Sequence, residues 1–305
     1  MREIERQLYG ERAKTENLQG GYDLGYDSIE VTPIDYPSSP YNTIRQMTLC
    51  GNNTDIPQPH KDYELKEVTT IHPVTKTEYK EYIYRDDLTI LEDIFHNRVL
   101  PNALEALKFV FAIKGVTRVT THQIVRARIG VVFHQFSTRF AFVDKIKVRI
   151  PPELAEPKHK ALLENHIVLC DMLRAQYQEE VEAGIPDQNA RYILPDSIET
   201  TVVMAADYAA LRHYTAQRFC RTMQPEHQVV AEKILEQMWK LYPYLAQWMY
   251  TGCFYSGKCV VTTDNIGNAS LPYRYDAPNQ ECEFVPWVSQ RDKIYEAISK
   301  RLEKK

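Results

Sequence analysis

Polar and apolar residues alternate in the region from Glu64 to Tyr84. Two runs, YELKEVTTI and KTEYKEYIY, change character at almost every position, and the segment from His72 to Thr75 separates them. Strict alternation puts every second side chain on the same face of a strand. The pattern therefore predicts a β-hairpin.

Apolar residues at helical spacing mark the clearest helix, predicted from about Lys158 to Glu182, with Gly184 and Pro186 as its stop signal. Shorter helices are predicted from about 88 to 95, from 225 to 241, where proline stands in the first turn, and in the charged tail from 292 to 305. Another helix is predicted to open near Asp196, because Glu199 follows three residues later as in a capping box.

Turn-forming residues and tyrosines dominate the first 60 residues, in runs such as GGYDLGYDSIE and TPIDYPSSPYNT. That density predicts an irregular extension over residues 1–60, wrapped on a surface, in which short strands can occur. Its tyrosines are expected to dock it onto its own domain or a neighbouring subunit more readily than to stack on a heterocycle. We expect a main domain over residues 61–260 and a C-terminal extension over residues 261–305 that ends in the charged helix.

The composition, 44% hydrophobic and 26% charged over 305 residues, is typical of a soluble globular chain. No apolar run approaches the roughly 18 residues that span a bilayer, and the charged start MREIERQLYGERAK does not resemble a secretory signal. We therefore expect a cytoplasmic protein. The six cysteines favour reduced thiols in a chain this long. The gap between Cys253 and Cys259 is wider than usual zinc spacings, so no metal is predicted.

The stretch from Lys114 to Arg149 is strongly basic. It holds eight Lys or Arg against one acid, in a chain whose net charge is −4. Arg126 and Arg128 alternate, as do Ser137 and Arg139, so each pair is expected to share one face of an extended segment. Guanidinium groups so placed can bind phosphate oxygens in a bidentate manner. A solvated strand edge would explain the charges alone; the interleaved amides, histidine and serine favour an anionic ligand.

Several short motifs resemble those of the flavin-dependent thymidylate synthases. Arg126-Ala127-Arg128, an eight-residue spacer and Ser137-Thr138-Arg139 resemble the R-H-R and S-x-R signature, and THQIVR resembles the run that leads into it. ARYILP, which contains Arg191, matches the family's A-R-x-x-L-P. Arg218 lies six residues before Gln224, in the position of the family's nucleotide-binding arginine, although A-Q-W-E reads Met223-Gln224-Pro225-Glu226 here. The resemblance covers roughly residues 100–259.

The resemblance implies an α+β fold, with a mixed β-sheet flanked by helical bundles, and a homotetramer whose sites are shared between subunits. It implies C5 methylation of dUMP to dTMP. In that reaction methylenetetrahydrofolate supplies the carbon, NADPH reduces FAD, and no covalent cysteine is required.

The same resemblance assigns roles to individual residues. The catalytic candidates are Arg218 and Ser137, the latter as a hydrogen-bonding group, and for Arg218 a salt bridge to Glu226 is the competing interpretation. The substrate-binding residues it implies are Gln123, Arg126, Gln135, Ser137, Arg139, Arg191 and Arg218. The flavin-binding residues it implies are Arg126, Arg128, Ile129, Asp207 and His213.

Four departures from the family fall at positions associated with the flavin: Ala106 and Ala127 replace histidines, Asp207 replaces an asparagine and Ala209 an arginine. Gln135 also stands where many members carry glutamate. These changes leave open a different C5 modification, such as hydroxymethylation, or a different pyrimidine nucleotide.

A non-catalytic nucleotide- or RNA-binding protein is the alternative from another class. The basic stretch is interleaved with Phe133, Phe136 and Phe140, as in proteins that hold single strands. A pI of about 6.2 argues against it.

Overall fold

The computed structural model describes residues 21–51, 59–61, 63–73, 75–138, 147–219 and 223–250. The strands are β1 (Tyr22–Leu24), β2 (Glu30–Asp35), β3 (Leu65–Ile71), β4 (Glu78–Tyr84), β5 (Lys108–Thr117), β6 (Val131–Gln135), β7 (Val148–Ile150) and β8 (Glu199–Asp207). The helices are α1 (Pro40–Gly51), α2 (Arg85–Phe95), α3 (Arg118–Ile124), α4 (Lys160–Glu182), α5 (Asp187–Ala190), α6 (Tyr208–Arg218), α7 (Pro225–Leu241) and α8 (Pro243–Ala246). Short 3-10 helices cover Pro101–Ala106, Pro152–Ala155, Pro157–His159 and Arg191–Ile193.

The strands form three sheets. The largest has four strands in the order β2-β5-β8-β6, β3 and β4 form an antiparallel pair, and β1 pairs with β7 in parallel. Helices and sheets together confirm the predicted α+β class. Of the helices in the described ranges, none combines the length and apolar character needed to cross a bilayer.

The chain divides into two compact units that interleave along the sequence. Among the described residues, the first comprises those within 21–31, 112–127 and 133–204, and the second those within 32–111, 128–132 and 205–250. The predicted boundary after residue 60 stays a prediction, and the one after residue 260 lies outside the described residues.

The first unit is built around β7, which is buried along its whole length. Val148 and Ile150 pack with buried residues of α4 and neighbouring segments, including Cys170 and Tyr177. Arg149, between them, is only 1% exposed. A guanidinium can be buried only if its donors are satisfied, and the bonds it makes are described below.

The second unit has its core on the inner face of α7. Its buried residues recur every three or four positions, from Val230 to Trp239, as expected of an amphipathic helix. Other rings complete this core: Phe95 stacks on Trp248 with ring centres 4.7 Å apart, and the Tyr208 hydroxyl donates to the Leu245 carbonyl at 2.7 Å.

Several predicted elements are confirmed. The hairpin pairs Leu65 with Tyr84 and Ile71 with Glu78. The long helix, the helix after residue 224 and the helix that ends at Phe95 also form. The tail helix predicted over 292–305 lies outside the described residues.

Three expectations about local structure were wrong. Glu199 begins strand β8 instead of lying in a helix, because alternate residues from Thr200 to Ala206 are buried and the run is rich in β-branched side chains. Residues 40–51 form helix α1 within the segment expected to be irregular. Arg126 does not lie on an extended segment, because α3 occupies residues 118–124 and a turn follows it.

Candidate functional site

Helix α3 brings polar groups of the basic stretch to one end of strand β5. The Thr117 hydroxyl caps the helix by accepting from the Thr120 N–H at 3.2 Å, so the helix starts at Arg118. Residues three apart on a helix lie on one face, which places Arg118 and Thr121 together.

Two guanidinium groups of the first unit converge on the hydroxyl of Thr138. Arg118 Nη2 lies 3.1 Å from Thr138 Oγ1, and Arg191 Nη1 lies 3.4 Å from the same oxygen. Burial lowers the pKa of Arg118, and the charge of Arg191 lowers it further, against the opposing effect of Asp196. Two cations held this close repel each other unless an anion lies between or beside them. This pair is therefore a candidate anion site.

Gln135 belongs to the same unit and is bonded to α3. Its Nε2 donates to Thr121 Oγ1 at 3.1 Å, and Thr121 Oγ1 lies 3.2 Å from the Arg118 carbonyl oxygen, to which it donates. Thr121 is completely buried, whereas Gln135 is half-buried. One continuous set of bonds therefore connects the amide of β6 to the helix that carries Arg118.

The other predicted residues of the first unit differ in how far they are exposed. Arg126 is exposed, and its Nε donates to the His122 carbonyl at 3.3 Å. Gln123 and Ser137 are half-buried. Arg139 lies outside the described residues.

In the second unit, Asp207 ties the turn at Gly130 to the start of α6. Its Oδ1 accepts from the Ala210 N–H at 2.7 Å, its Oδ2 pairs with Lys108 Nζ at 3.2 Å, and its own N–H donates to the Gly130 carbonyl at 2.9 Å. Gly130 has a φ of 70°, and a Cβ there would lie 2.8 Å from Asp207 Cγ. Only glycine fits this approach.

Arg128 and Ile129 immediately precede that turn. Both are exposed, Ile129 to 92%. A cationic and an apolar side chain are thus presented next to each other at a turn that Asp207 contacts.

Helix α6 carries His213 and Arg218. His213 is exposed and its ring lies 2.8 Å from Gln217 Nε2. Arg218 Nη1 contacts the Met223 sulfur at 3.2 Å, and its buried Nε has no hydrogen-bond partner within the described ranges. Burial, together with the nearby charge of Arg218, lowers the pKa of the neighbouring His227 to about 3. Because the Nε of Arg218 has no partner among the described residues, this guanidinium is available to polarise a ligand.

Comparison with known proteins identifies the family. A family model described as thymidylate synthase complementing protein matches residues 47–244. The chain belongs to this family. It is 31% identical over 153 residues to the flavin-dependent thymidylate synthase of Sulfurisphaera tokodaii, covering 50% of this chain and 58% of that protein. It is 34% identical over 140 residues to that of Pyrococcus furiosus, covering 45% and 57%.

The match to these relatives is thus partial, because the chain spans under two thirds of their length. The fold of this chain is similar to that of a solved structure, the UMP/dUMP methylase PolB from Streptomyces cacaoi bound with 5-Br dUMP. The two structures have a TM-score of 0.58 and 17% identity, over 74% of this chain and 96% of that chain.

Sequence reasoning missed Arg118, Thr121, Thr138 and Lys108. The signal for the first two was their spacing of three residues, which places them on one helical face. This spacing was overlooked because the basic stretch was expected to be extended and not helical. Thr138 and Arg191 lie 53 residues apart, and no local pattern connects them.

Proposed function

We propose that the protein is a flavin-dependent enzyme that methylates C5 of a uridine monophosphate, most simply dUMP to dTMP. The observation that carries the proposal is the pair of guanidinium groups on the Thr138 hydroxyl. Such a pair fits a phosphate, whose oxygens can accept from both arginines.

The remaining residues take roles that follow from their chemistry. Arg118, Arg191 and Arg139 bind the phosphate, while Gln123, Gln135 and Ser137 hydrogen-bond to the sugar or base. Arg218 polarises a carbonyl of the pyrimidine; its buried Nε, which meets no acceptor among the described residues, supports this role. Ser137 serves as a hydrogen-bonding residue and is not activated as a nucleophile.

The residues at the turn before β6 fit a flavin in part. Arg126 and Arg128 are exposed cations suited to its diphosphate, and Ile129 offers an apolar surface. His213 has an exposed ring, although one nitrogen already meets Gln217. Asp207 fits less well, because both of its oxygens are engaged by Ala210 and Lys108. When bound, the flavin would supply the reducing chemistry, with NADPH as reductant and methylenetetrahydrofolate as carbon donor.

We further propose a cytoplasmic homotetramer with sites shared between subunits, and a catalytic domain over residues 61–260 flanked by two extensions. The tetramer with shared sites rests on the family to which the chain belongs, whereas the location and the domain bounds rest on the composition and sequence patterns described above.

The test is incubation with FAD, NADPH, methylenetetrahydrofolate and dUMP, followed by mass spectrometry of the nucleotide. Methylation adds about 14 mass units, while hydroxymethylation, the second candidate, adds about 30. Hydroxymethylation remains the second candidate because Asp207, at a position that the family associates with the flavin, forms an ion pair with Lys108. Neither product, together with no uptake of flavin, would contradict both enzyme proposals and favour a nucleotide- or RNA-binding protein.

A further inference from the structure

The side-chain amide of Gln135 has a donor, Nε2, and an acceptor, Oε1, and Thr121 determines which of the two atoms faces helix α3. A threonine hydroxyl has one proton to donate. The Thr121 Oγ1 lies 3.2 Å from the Arg118 carbonyl oxygen, three residues earlier in the same helix. A carbonyl can only accept, so the proton is committed to it.

Toward Gln135, Thr121 Oγ1 can therefore act only as an acceptor. The atom of the amide that lies 3.1 Å away must be a donor, which is Nε2. Because Thr121 is completely buried, no solvent molecule replaces either partner. The amide is fixed with Oε1 turned away from α3 as an acceptor.

The candidate anion site lies close to this acceptor along the chain. Thr138, which both guanidinium groups contact, is three residues after Gln135, and three residues span at most about 11 Å. One nucleoside monophosphate can bridge that separation. With its phosphate held by Arg118 and Arg191, the base would present the same ring position to Gln135 whichever pyrimidine it is.

We propose that Thr121 is a positioning residue for base recognition, holding the Gln135 amide so that its oxygen accepts the N3–H of a uracil ring. Cytosine has a lone pair at N3 and meets the same oxygen with repulsion. The inference rests on the proposed function, because it assumes a pyrimidine monophosphate in this site. A glutamate at 135 has two equivalent oxygens and would need no such orientation; glutamine does.

The test is the affinity of the purified protein for dUMP and dCMP, measured by titration calorimetry at pH 8. Thr121→Val removes the hydroxyl at nearly constant size and frees the amide to rotate. We expect the preference for dUMP over dCMP to fall about ten-fold, which corresponds to about 1.4 kcal/mol, because the freed amide can turn its Nε2 toward N3 of cytosine. Thr121→Ser, which keeps the hydroxyl, should retain the preference.

Thr120→Val is the matched control. Thr120 is also completely buried in α3, but its Oγ1 has no hydrogen-bond partner in the described part of the chain. The same change of side chain there should leave the preference unaltered. A rescue variant completes the design: Thr121→Val with Gln135→Glu should regain the preference, because an ionised carboxylate accepts in either orientation.

The outcomes separate the inference from the proposed function. A wild-type protein that binds neither nucleotide overturns the proposed function. Binding of dUMP with an unchanged preference in Thr121→Val, or equal binding of both nucleotides by the wild type, overturns only the role of Thr121. If Thr121→Val fails to fold, Gln135→Met takes its place, and a retained preference in that variant overturns the inference.

Discussion

Arg149 is a single buried cation that connects several segments of the first unit. Its guanidinium donates to the Gly115 carbonyl at 2.6 and 3.0 Å, to the Gly25 carbonyl at 2.5 Å and to Ser28 Oγ at 3.0 Å, and it pairs with Glu199 at 2.6 Å. These partners come from three separate segments of the first unit, so the side chain joins them where an apolar residue could not.

Replacing Arg149 by methionine should therefore destabilise the protein strongly. Similar bulk would remain, but two carbonyls and the Glu199 carboxylate would lose their donor in a buried place, at a cost of about 3–5 kcal/mol. Urea unfolding would measure this loss. The control is Arg98→Met, whose exposed ion pair with Asp93 at 3.1 Å should contribute less than about 1 kcal/mol. Equal effects of the two changes would contradict the prediction.

Glu199 makes a pH-dependent contribution to the same network. Burial raises its pKa to about 7, and nearby Asp23 contributes to the rise against the opposing charge of Arg149. Two carboxylates here face the guanidinium of Arg149. Burial alone would raise the pKa of Asp23, but its bonds to Ser28, Glu199 and Lys147 lower that pKa, so Asp23 is the carboxylate that keeps its charge.

The sign follows from proton binding. Between pH of about 4.5 and 7 the folded state holds a proton on Glu199 that the unfolded state has lost, so the free energy of unfolding falls as the pH rises through this window. Asp23 acts in the opposite sense but only at lower pH. Comparing wild type with Glu199→Gln between pH 4.5 and 8 isolates the term, which should reach about 3 kcal/mol. A difference between the two proteins that does not change with pH would contradict it.

At the scale of elements, the turn at Gly130 positions two parts of the proposed flavin site. It is held against the cap of α6, where a Cβ would lie 2.9 Å from the Ala210 Cβ. The position of Arg128 and Ile129 therefore depends on a close approach of backbone to helix and not on their own side chains.

We expect Gly130→Ala to destabilise the protein by more than the cost of placing an alanine at a positive φ. Gly25→Ala is the matched control, because Gly25 has a φ of 69° against 70° at Gly130, and a Cβ added there would meet no described atom within 4 Å. The control should cost about 1–2 kcal/mol, and Gly130→Ala about 1–3 kcal/mol more, because the Cβ meets backbone-anchored atoms. Thermal unfolding of both variants measures the difference, and equal losses would show that the turn can move.

The elements also show what the sequence can and cannot predict. The hairpin and α4 were predictable because each pattern persists over many residues. Near Asp196 a capping signature competed with the β-branched run that starts at Thr200, and packing of the buried side chains decided in favour of a strand. Arg191 and Arg218 were recognisable from motifs. The convergence of Arg118 and Arg191 was not, because it depends on how α3 and the segment after α5 are brought together.

At the scale of the whole molecule, the predicted site residues are divided between the two compact units. Gln135 and Arg191 belong to the first, and Asp207, His213 and Arg218 to the second. In the proposed homotetramer, one site would take some of its residues from one subunit and the rest from another. That proposal can be tested without knowing how the units are arranged.

The test is complementation between two inactive variants. Arg191→Met removes half of the candidate anion site, and Arg218→Met removes the guanidinium proposed to polarise the pyrimidine. Each alone should lower the turnover of dUMP at least 100-fold, since each removes a charged contact to the reacting nucleotide. If the two arginines of one site come from different subunits, co-expressed mixed tetramers contain sites with both residues intact.

Random mixing would then restore up to about a quarter of wild-type activity. The control is the double variant Arg191→Met with Arg218→Met, co-expressed with wild type. It should give about a quarter of wild-type activity if the two arginines of a site come from different subunits, and about a half if both come from one subunit. Mixed tetramers as inactive as either variant would show that both arginines act within one subunit. A protein that sediments at its chain mass of 35.6 kDa would contradict the shared site directly.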